Sequence, residues 1–502
     1  TVRAATNIWL GDGDDSVQLS SNADLDTDRG ADNQVIDFLS GDLEAFRGNL
    51  NLDLGRGRHR LLISDEADSS GDTVTISDRL NTPGGAGGFD VTSAAEIQIQ
   101  GLAFGDITYG AAPDGTLCNG VVTWSGSGHD TIRIDGTHYR PGERTATLLN
   151  TGLGDDRVTV ALSAPGTAGE SDAGDGFFVL HATGGRATMG LSDNAIAAAT
   201  ATASDNDTVD GRGSTLPLVL IGGLGRDEIL AGQAKDVVIG DFGRVHVLDA
   251  DGRRLASYGY GGRGDRIGGP IAESAMGAPE TDTLLSRILS VLASSGDEDR
   301  LDGGAGSDLI LGGHRTDRID GGSGDNIVLG DHGRIDLGGT EADPALVRLV
   351  LSLFADMAGG ADTITTLDGD DVVIGGRFAD QIDAGDGQNV ILGDSGRLTD
   401  AGAAPGTPVR GRIPLGLIES QAYSDGGDDS IRSGSGDDII LGGDAADRID
   451  ADGGDNIVLG DNGRIDFTRR DRVNSGAQAA DQGAAVIASI ESLSLFEAGG
   501  AD

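Results

Sequence analysis

The chain is poor in cysteine and in aromatic residues, and each shortage excludes a class of protein. Cys118 is the single cysteine among 502 residues, so no disulfide framework holds the fold together. Aromatic residues make up only 4% of the chain, which argues against ordinary globular domains, although the length would allow two or more. No apolar run reaches about 18 residues, so we expect no membrane insertion. The chain opens with Thr1-Val2-Arg3 and no apolar leader, so we expect no signal peptide at this end.

Positive charge is scarce as well. Lys and Arg total 36 against 82 Asp and Glu, which gives a formal net charge of −46. A nucleic-acid-binding protein needs a basic face, so nucleic acid is not an expected partner. Among the 82 acidic residues, 69 are Asp. That bias is typical of turns and of short-armed metal ligands, whereas a generally solvated acidic surface would also use Glu.

Glycine and aspartate are abundant instead, and in residues 302–337 they recur every nine residues. Gly pairs open successive units at residues 303, 312 and 321. The sixth place of these units holds Asp308, Asp317 and Asn326, and the eighth place holds Ile310, Ile319 and Val328. The repeated unit is therefore GGxGxDxUx, where U is a large aliphatic residue.

This unit predicts a turn followed by a very short strand. Its glycines permit positive φ and close backbone packing, so the first six residues form a tight turn. The last three form a strand whose aliphatic side chain points inward. Two units make one flattened coil, and stacking places the Asp of one turn beside carbonyl groups of the next. Carboxylate and carbonyl oxygens, without His or Cys, are the ligands that calcium prefers.

These repeats resemble the RTX family of haemolysin-type calcium-binding nonapeptides. The resemblance implies an all-β, right-handed parallel β-roll in which Ca²⁺ ions bridge successive turns. It also implies a secreted protein, extracellular or on the bacterial cell surface, that leaves the cell by type I secretion. Without calcium, repulsion between stacked aspartates is expected to leave the chain largely unfolded.

The pattern divides the chain into two predicted domains. Residues 1–216 carry isolated GxGxDxU turns, which predict an irregular parallel β-helix with two degenerate repeats. Two pairs of segments align there, 6–19 with 121–134 and 50–63 with 147–160, and the second alignment sets His59 opposite Asp156. Residues 217–502 hold the tighter form and predict an RTX-like β-roll solenoid of four blocks. The chain ends on a partial copy of residues 354–362, so we expect it to be a segment of a very large protein.

Each block of the second domain closes with a turn of the type LGDxGR. The copies lie at residues 239–245, 329–335, 392–398 and 459–465. An excursion from the nine-residue register then leads to an apolar segment, at 283–295, 345–357, 413–423 and 485–498. The spacing of apolar residues in these segments is compatible with a helical turn or with a return strand, and we expect either to pack the core or to cap an edge.

The predicted calcium ligands are oxygen-bearing residues of the repeated turns. In the second domain the sixth-place residues are Asp227, Asp236, Asp308, Asp317, Asn326, Asp371, Asp380, Asn389, Asp438, Asp447 and Asn456. Further candidates are Asp331, Asp394 and Asp461 of the LGD turns, and Asp15, Asp130 and Asp156 in the first domain. Asn offers an oxygen but no charge, so its sites are expected to be weaker or only structural. The alternative for each Asp is that it merely ends a turn.

Other motifs carry little information. GDSG at 393–396 resembles a serine-protease motif, but the equivalent turns read GDHG, GDNG and GDFG, so Ser395 occupies a variable position. Arg263-Gly264-Asp265 spells an integrin-binding tripeptide that this composition produces by chance. The seven His residues show no zinc-binding spacing.

Three functions remain open. The favoured one is a calcium-stabilised structural segment of a giant surface protein, such as an adhesin stalk, surface layer, sheath or filament subunit. Its expected partners are calcium ions and further repeats, through self-association or continuation of the chain. The second is a secreted polysaccharide lyase or epimerase, with Arg58, His59, Arg60, His138, Tyr139 and Arg140 as the residues that could line a cleft. The third is a calcium-dependent adhesion module. We expect no catalytic activity.

Overall fold

The computed structural model describes residues 2–22, 25–26, 38–78, 96–140, 145–163, 175–183, 205–248, 254–259, 286–291, 295–338, 347–353, 359–401, 409–410, 413–424, 426–467 and 487–493. Regular structure in these ranges consists of β-strands, and no α-helix occurs in them. In the described part of the chain there is accordingly no helix with the length and apolar character needed to cross a membrane. The prediction of an all-β fold is confirmed.

Most strands are short, because each nine-residue unit leaves only a few residues outside its turn. In chain order the first twenty are β1 (Thr6–Trp9), β2 (Ser16–Leu19), β3 (Leu25–Asp26), β4 (Phe38–Leu39), β5 (Leu50–Asp53), β6 (Arg60–Ser64), β7 (Thr73–Ser77), β8 (Ile97–Gln100), β9 (Ile107–Gly110), β10 (Val121–Trp124), β11 (Thr131–Ile134), β12 (Ala146–Asn150), β13 (Arg157–Val160), β14 (Phe177–His181), β15 (Thr208–Asp210), β16 (Leu218–Ile221), β17 (Glu228–Leu230), β18 (Val237–Ile239), β19 (Gly243–Leu248) and β20 (Arg254–Gly259).

The other strands follow from residue 287 onward. They are β21 (Arg287–Ser290), β22 (Arg300–Asp302), β23 (Leu309–Gly313), β24 (Arg318–Asp320), β25 (Ile327–Asp331), β26 (Gly333–Leu337), β27 (Val347–Ser352), β28 (Thr363–Thr365), β29 (Val372–Gly376), β30 (Gln381–Asp383), β31 (Val390–Asp394), β32 (Gly396–Asp400), β33 (Val409–Arg410), β34 (Ile413–Ser420), β35 (Ser430–Arg432), β36 (Ile439–Gly443), β37 (Arg448–Asp450), β38 (Ile457–Asp461), β39 (Gly463–Asp466) and β40 (Ser489–Ser492).

The chain forms two compact units. The first comprises Thr1–Val237 with Phe242–Leu284, and the second comprises Val238–Asp241 with Leu285–Asp502. The predicted division at residue 216 was drawn from the regularity of the repeats and not from contacts, and it stays a prediction.

In the first unit the chain alternates between two sheets. One sheet has the strand order β1-β5-β9-β8-β7-β11-β13-β15-β17, and the other has the order β2-β6-β10-β12-β14-β16. Pairing is parallel except around β8, which runs antiparallel to both β7 and β9. In the second sheet Val121 lies opposite Leu61 on one side and Thr147 on the other. This alternation of parallel sheets is that of an irregular β-solenoid.

The aligned segments of the first unit fold alike but belong to opposite sheets. Segment 6–19 starts with β1 in the first sheet, whereas segment 121–134 starts with β10 in the second. Between β1 and β10 the chain passes through an odd number of half-coils, so the two copies begin in opposite sheets. The sequence similarity therefore marks half-coils and not whole coils.

The second unit contains two parallel sheets with matching strand orders. They are β22-β24-β28-β30-β35-β37 and β23-β25-β29-β31-β36-β38. Their core is a stack of aliphatic side chains to which the strands of both sheets contribute in every coil. In the second of these sheets Ile310, Val328, Val373, Ile391 and Ile440 stand in register on successive strands, and each is fully buried. The predicted β-roll is therefore the fold of this unit.

A third, antiparallel sheet is made by the excursions that follow the LGD turns. Its strand order is β21-β26-β27-β32-β34-β39-β40. The described parts of the four apolar segments supply β21, β27, β34 and β40, so the return strand was the correct alternative. One face of this sheet carries in register Ile335, Val350, Leu398, Ile418 and Ile465, and these five side chains are fully buried. The period-two alternation of these strands explains why a single face packs inward.

Ile465 and Ile490 lie opposite each other in β39 and β40 but differ in exposure, 0% against 49%. We expect Ile465→Ala to lower the free energy of unfolding by about 2–5 kcal/mol, because it leaves a cavity in the core. Ile490→Ala is the matched control and is expected to change it by about 0.5 kcal/mol or less. Urea unfolding in calcium measures both, and equal losses would contradict the assignment of the buried face.

Candidate calcium sites

Two columns of oxygen-bearing side chains stand at the starts of the parallel strands of the second unit. The all-Asp column precedes β22, β24, β28, β30, β35 and β37, and it consists of Asp299, Asp317, Asp362, Asp380, Asp429 and Asp447. The alternating column precedes the strands of the other sheet, and it consists of Asp308, Asn326, Asp371, Asn389, Asp438 and Asn456. Each coil therefore contributes one residue to each column.

Both columns are continuous hydrogen-bonded ladders. The backbone N–H of each residue donates to Oδ1 of the column residue in the next coil. In the all-Asp column, for example, the Asp317 N–H donates to Asp362 at 2.7 Å, and the Asp380 N–H donates to Asp429 at 2.8 Å. In the alternating column the Asn326 N–H donates to Asp371 at 2.7 Å. One carboxylate oxygen per coil thus fixes the vertical register of the turns.

In four residues of the all-Asp column the second carboxylate oxygen is buried without a hydrogen bond. Among the described residues no donor meets Oδ2 of Asp317, Asp362, Asp380 or Asp429, and these side chains are at most 2% exposed. An ionised oxygen in such a position carries a large desolvation cost unless a cation or a donor meets it. Two of these four residues, Asp317 and Asp380, were predicted as ligands from the sequence.

Glycine keeps space open beside these oxygens. A Cβ built at Gly393 would clash with both Asp429 Oδ2 and the carbonyl oxygen of Gly442 in the next coil. A carboxylate oxygen and a carbonyl oxygen therefore face the same small space. A donor set made of carboxylate and carbonyl oxygens, with no nitrogen or sulfur, fits calcium. The residues of the all-Asp column would hold such an ion between successive turns.

The pKa values of the column residues also indicate that their buried carboxylates lack a compensating positive charge within the described ranges. Burial, and then the neighbouring carboxylate of Asp394, raise the pKa of Asp429 to about 9 from its ordinary value of 3.8. Burial raises the pKa of Asp362 to about 7. The pKa of Asp380 lies well above its ordinary range because of burial and the charges of Asp362 and Asp429. Without a metal, these stacked groups thus favour the protonated form at neutral pH.

The aspartates of the LGD turns have a different structural role from the column residues. Asp331 accepts hydrogen bonds from Gly360 N–H at 2.9 Å and from Arg377 N–H at 2.6 Å. Asp394 likewise accepts from the N–H groups of Gly427 and Asp444. Each thus fastens the chain where it returns from an excursion.

The remaining LGD residues extend this picture. Asp241, which was not among the predicted ligands, accepts a hydrogen bond from the His314 N–H. Asp461 lies in β38 in register with Gly443. Burial and nearby carboxylates raise the pKa of Asp331 well above its ordinary range, and burial raises that of Asp394 to about 8. Calcium binding by Asp331, Asp394 and Asp461 stays a prediction.

A column of the same kind runs through the first unit. The N–H groups of Asp72, Asp130, Asp156 and Asp207 each donate to Oδ1 of the next aspartate, the last being Asp227, at 2.8 Å. The structure thus brings the predicted residues Asp130, Asp156 and Asp227 together. Asp236 stands apart from this column, since its two oxygens accept from the N–H groups of Leu218 and Gly232 at 2.7 Å.

Asp15 does not join that column. Its N–H donates to Nδ1 of His59 at 3.3 Å, so a buried imidazole takes the acceptor position that a carboxylate holds elsewhere. The Nε2 atom of His59 lies 3.3 Å from the carbonyl oxygen of Gly55. The alignment of His59 with Asp156 therefore reflects a shared place in the turn, although the two residues serve opposite sheets.

Several column residues escaped the sequence prediction. They are Asp72 and Asp207 in the first unit, and Asp299, Asp362 and Asp429 in the second. Most follow an excursion or lack the complete Gly pattern, so the nine-residue register fails to reach them. The signal that remained was an aspartate two places before a buried aliphatic, as in Asp362-Thr363-Ile364.

One acidic group lies outside the predicted ligands. Asp65, Asp68 and Asp72 each place a carboxylate oxygen within 4.8 Å of the others. The group is partly satisfied from within, since Asp68 Oδ2 accepts a hydrogen bond from the Ser70 hydroxyl at 2.8 Å. Burial, followed by the neighbouring Asp72 carboxylate, raises the pKa of Asp65 to about 7 despite a hydrogen bond from Leu43.

Comparison with known families identifies the repeats of the second predicted domain. The family model for the RTX calcium-binding nonapeptide repeat (4 copies) matches residues 219–244, 294–328, 358–382, 365–397 and 423–463. No curated protein matches the chain. Residues 219–463 therefore carry RTX calcium-binding nonapeptide repeats, and the predicted resemblance is confirmed.

Removal of calcium is expected to make stability depend on pH. The pKa values of Asp362, Asp394 and Asp429 are about 7, 8 and 9 in the fold and 3.8 when unperturbed. The folded chain then holds protons that the unfolded chain releases, so their contribution is complete below about pH 4 and is lost as pH rises through 7–9.

In EDTA we therefore expect the surviving fraction of the β-sheet circular dichroism signal to rise as pH falls from 9 to 5. In millimolar calcium this dependence on pH is expected to be smaller, because the ion replaces the protons. Spectra recorded at four pH values, with and without EDTA, make the comparison. A surviving signal that is lowest at pH 5 would show that the buried carboxylates are not protonated in the fold.

Proposed function

We propose that this chain is an extracellular, calcium-stabilised structural segment of a very large RTX-like surface protein. The supporting observation is the all-Asp column, which repeats one buried carboxylate oxygen, unpaired among the described residues, in four successive coils, at Asp317, Asp362, Asp380 and Asp429. An ion in successive layers suits an element that braces a long solenoid, such as an adhesin stalk, a surface layer, a sheath or a filament subunit.

Calcium would act as a folding switch that depends on the compartment. Weak extracellular calcium modules bind with dissociation constants on the order of 10⁻⁴–10⁻³ M. Such sites fill outside the cell and stay empty at cytosolic calcium, where repulsion between stacked aspartates would keep the chain unfolded. RTX repeats are typical of proteins exported by type I secretion, which agrees with this behaviour.

We propose a structural and not a catalytic role for the first unit as well. His59 and His138 were the most reactive candidates there, and both side chains are fully buried. His138 Nδ1 lies 2.6 Å from Glu96, which also pairs with Arg140. Burial raises the pKa of Glu96, but these two partners lower it below its ordinary value. Such a closed ion-pair group supports packing. Release of unsaturated sugars from an acidic polysaccharide by the purified chain would contradict this assignment.

Further repeats are the partners we propose besides calcium, through self-association or continuation of the chain. Apolar side chains stay exposed on strands at the limits of the described sheets. Trp9 on β1 is 62% exposed, and Val458 on β38 is 45% exposed. Unpaired strand edges with exposed apolar residues favour the addition of another strand.

Calcium removal tests the proposed function directly. We expect EDTA to abolish most of the β-sheet signal in far-ultraviolet circular dichroism, because the buried carboxylates then repel one another. Excess calcium should restore the signal, and magnesium at the same ionic strength should restore much less, since it demands a smaller octahedral site. A circular dichroism spectrum that EDTA leaves unchanged would contradict the proposed function.

A further inference from the structure

We propose that the second unit binds its calcium along one edge of the coils only, at the all-Asp column. In the alternating column, in contrast, every second residue is an Asn whose amide occupies the turn carbonyls, and this edge is inferred to hold no metal. The inference rests on the proposed function, because it takes calcium binding by the chain as given. The nonapeptide pattern predicts the same kind of calcium site at both edges of the coils, whereas this inference assigns calcium to one edge.

The Asn residues of the alternating column take the place of a cation. Asn326 Nδ2 donates to the carbonyl oxygen of Gly324 at 2.9 Å, within its own turn. Asn389 Nδ2 donates to Gly385 O at 3.3 Å, and Asn456 Nδ2 donates to Ala451 O. Each Asn therefore uses its oxygen for the ladder and its amide hydrogens for the turn carbonyls that an ion would otherwise coordinate.

One aspartate of the alternating column also has a side-chain donor beside it, since Asp438 Oδ2 accepts a hydrogen bond from the Ser433 hydroxyl at 2.7 Å. Asp371 is intermediate, because its Oδ2 has no hydrogen-bond partner among the described residues. Burial raises its pKa to about 7, although the hydrogen bond from the Asn326 backbone N–H opposes the rise. Donors of this kind do not reach the four orphaned oxygens of the all-Asp column in the described structure.

The LGD aspartates add charge to the all-Asp column. Besides burial, the Asp331 carboxylate contributes to the raised pKa of Asp380, and the Asp362 carboxylate contributes to that of Asp331. In the next block, burial and then the Asp394 carboxylate raise the pKa of Asp429. A block thus places three carboxylates at this edge, two from the column and one from the LGD turn. The alternating column carries one Asp and one Asn per block, and the aspartates beside it, such as Asp325 and Asp370, are only half-buried, so fewer buried carboxylates stand at that edge.

The matched variants Asp429→Asn and Asp438→Asn separate the two edges. Both residues belong to one coil, nine positions apart, and in both variants an Asn oxygen can still accept the ladder hydrogen bond from the coil before. Equilibrium dialysis of the full 502-residue chain against calcium counts the bound ions. We expect Asp429→Asn to bind at least one ion fewer than the unmodified chain and Asp438→Asn to bind the same number. Asp380→Asn is a second all-Asp variant with the same expected loss.

Stability in EDTA gives a second readout that does not require bound metal. Asp429→Asn replaces a carboxyl group that must take up a proton before it can be buried without metal, and it turns an amide toward the Gly442 carbonyl. More of its β-sheet circular dichroism signal should therefore survive EDTA at neutral pH than in the unmodified chain. Asp438→Asn removes an acceptor that Ser433 already satisfies, so it should not gain. Equal ion losses in the two variants, or an equal gain in EDTA, would overturn the one-edge assignment alone. An unmodified chain that binds no calcium would overturn the proposed function and this inference together.

Discussion

The hydrogen bond from a backbone N–H to a side-chain oxygen in the next coil is the interaction on which the second unit depends. It occurs once per coil in each column, to a carboxylate or, at the Asn positions, to an amide oxygen, and it sets which residue stands above which. The same bond creates the main liability of the fold, because every carboxylate that holds a turn in place also brings a negative charge into a dry position. The same carboxylates therefore set the register and bring in the negative charge. A bound cation keeps the register and offsets the free-energy cost of burying that charge.

The small core makes this electrostatic balance decisive. Strands such as β24 bury a single aliphatic, Ile319, while their neighbours point outward. Strands of the facing sheet, such as β25, bury three aliphatics, but turns occupy most of each nine-residue unit, so this core cannot offset many uncompensated buried charges. The antiparallel third sheet adds a second apolar contact per block, through Ile335, Val350 and their counterparts. The fold thus combines a small apolar core between two parallel sheets, the antiparallel third sheet, and a column of aspartates that would bind metal.

Local spacing made much of this predictable. The nine-residue period placed Ile310 and Val328 in the core and Asp317 and Asp380 in the column, because turn, strand and ligand all lie within one unit. Asp362 and Asp429 could not be found in this way, since an excursion separates them from the preceding unit. The third sheet was left undecided for a related reason: the pairing of β27 with β32 joins strands almost fifty residues apart, and an apolar pattern alone does not choose a helix or a strand. The contrast between Asn326 and Asp317 needed the positions of the turn carbonyls.

The contacts of the LGD aspartates have a consequence for how such a chain can change. Asp331 and Arg377 are 46 residues apart in sequence, Asp394 and Asp444 are 50 apart, and Asp241 and His314 are 73 apart. The same carboxylate-to-amide contact closes all three intervals. Whatever the length of the intervening segment, the coil resumes in phase. Insertions between these anchor points are thereby insulated from the frame of the roll, and new surface features can be acquired there without rebuilding the solenoid.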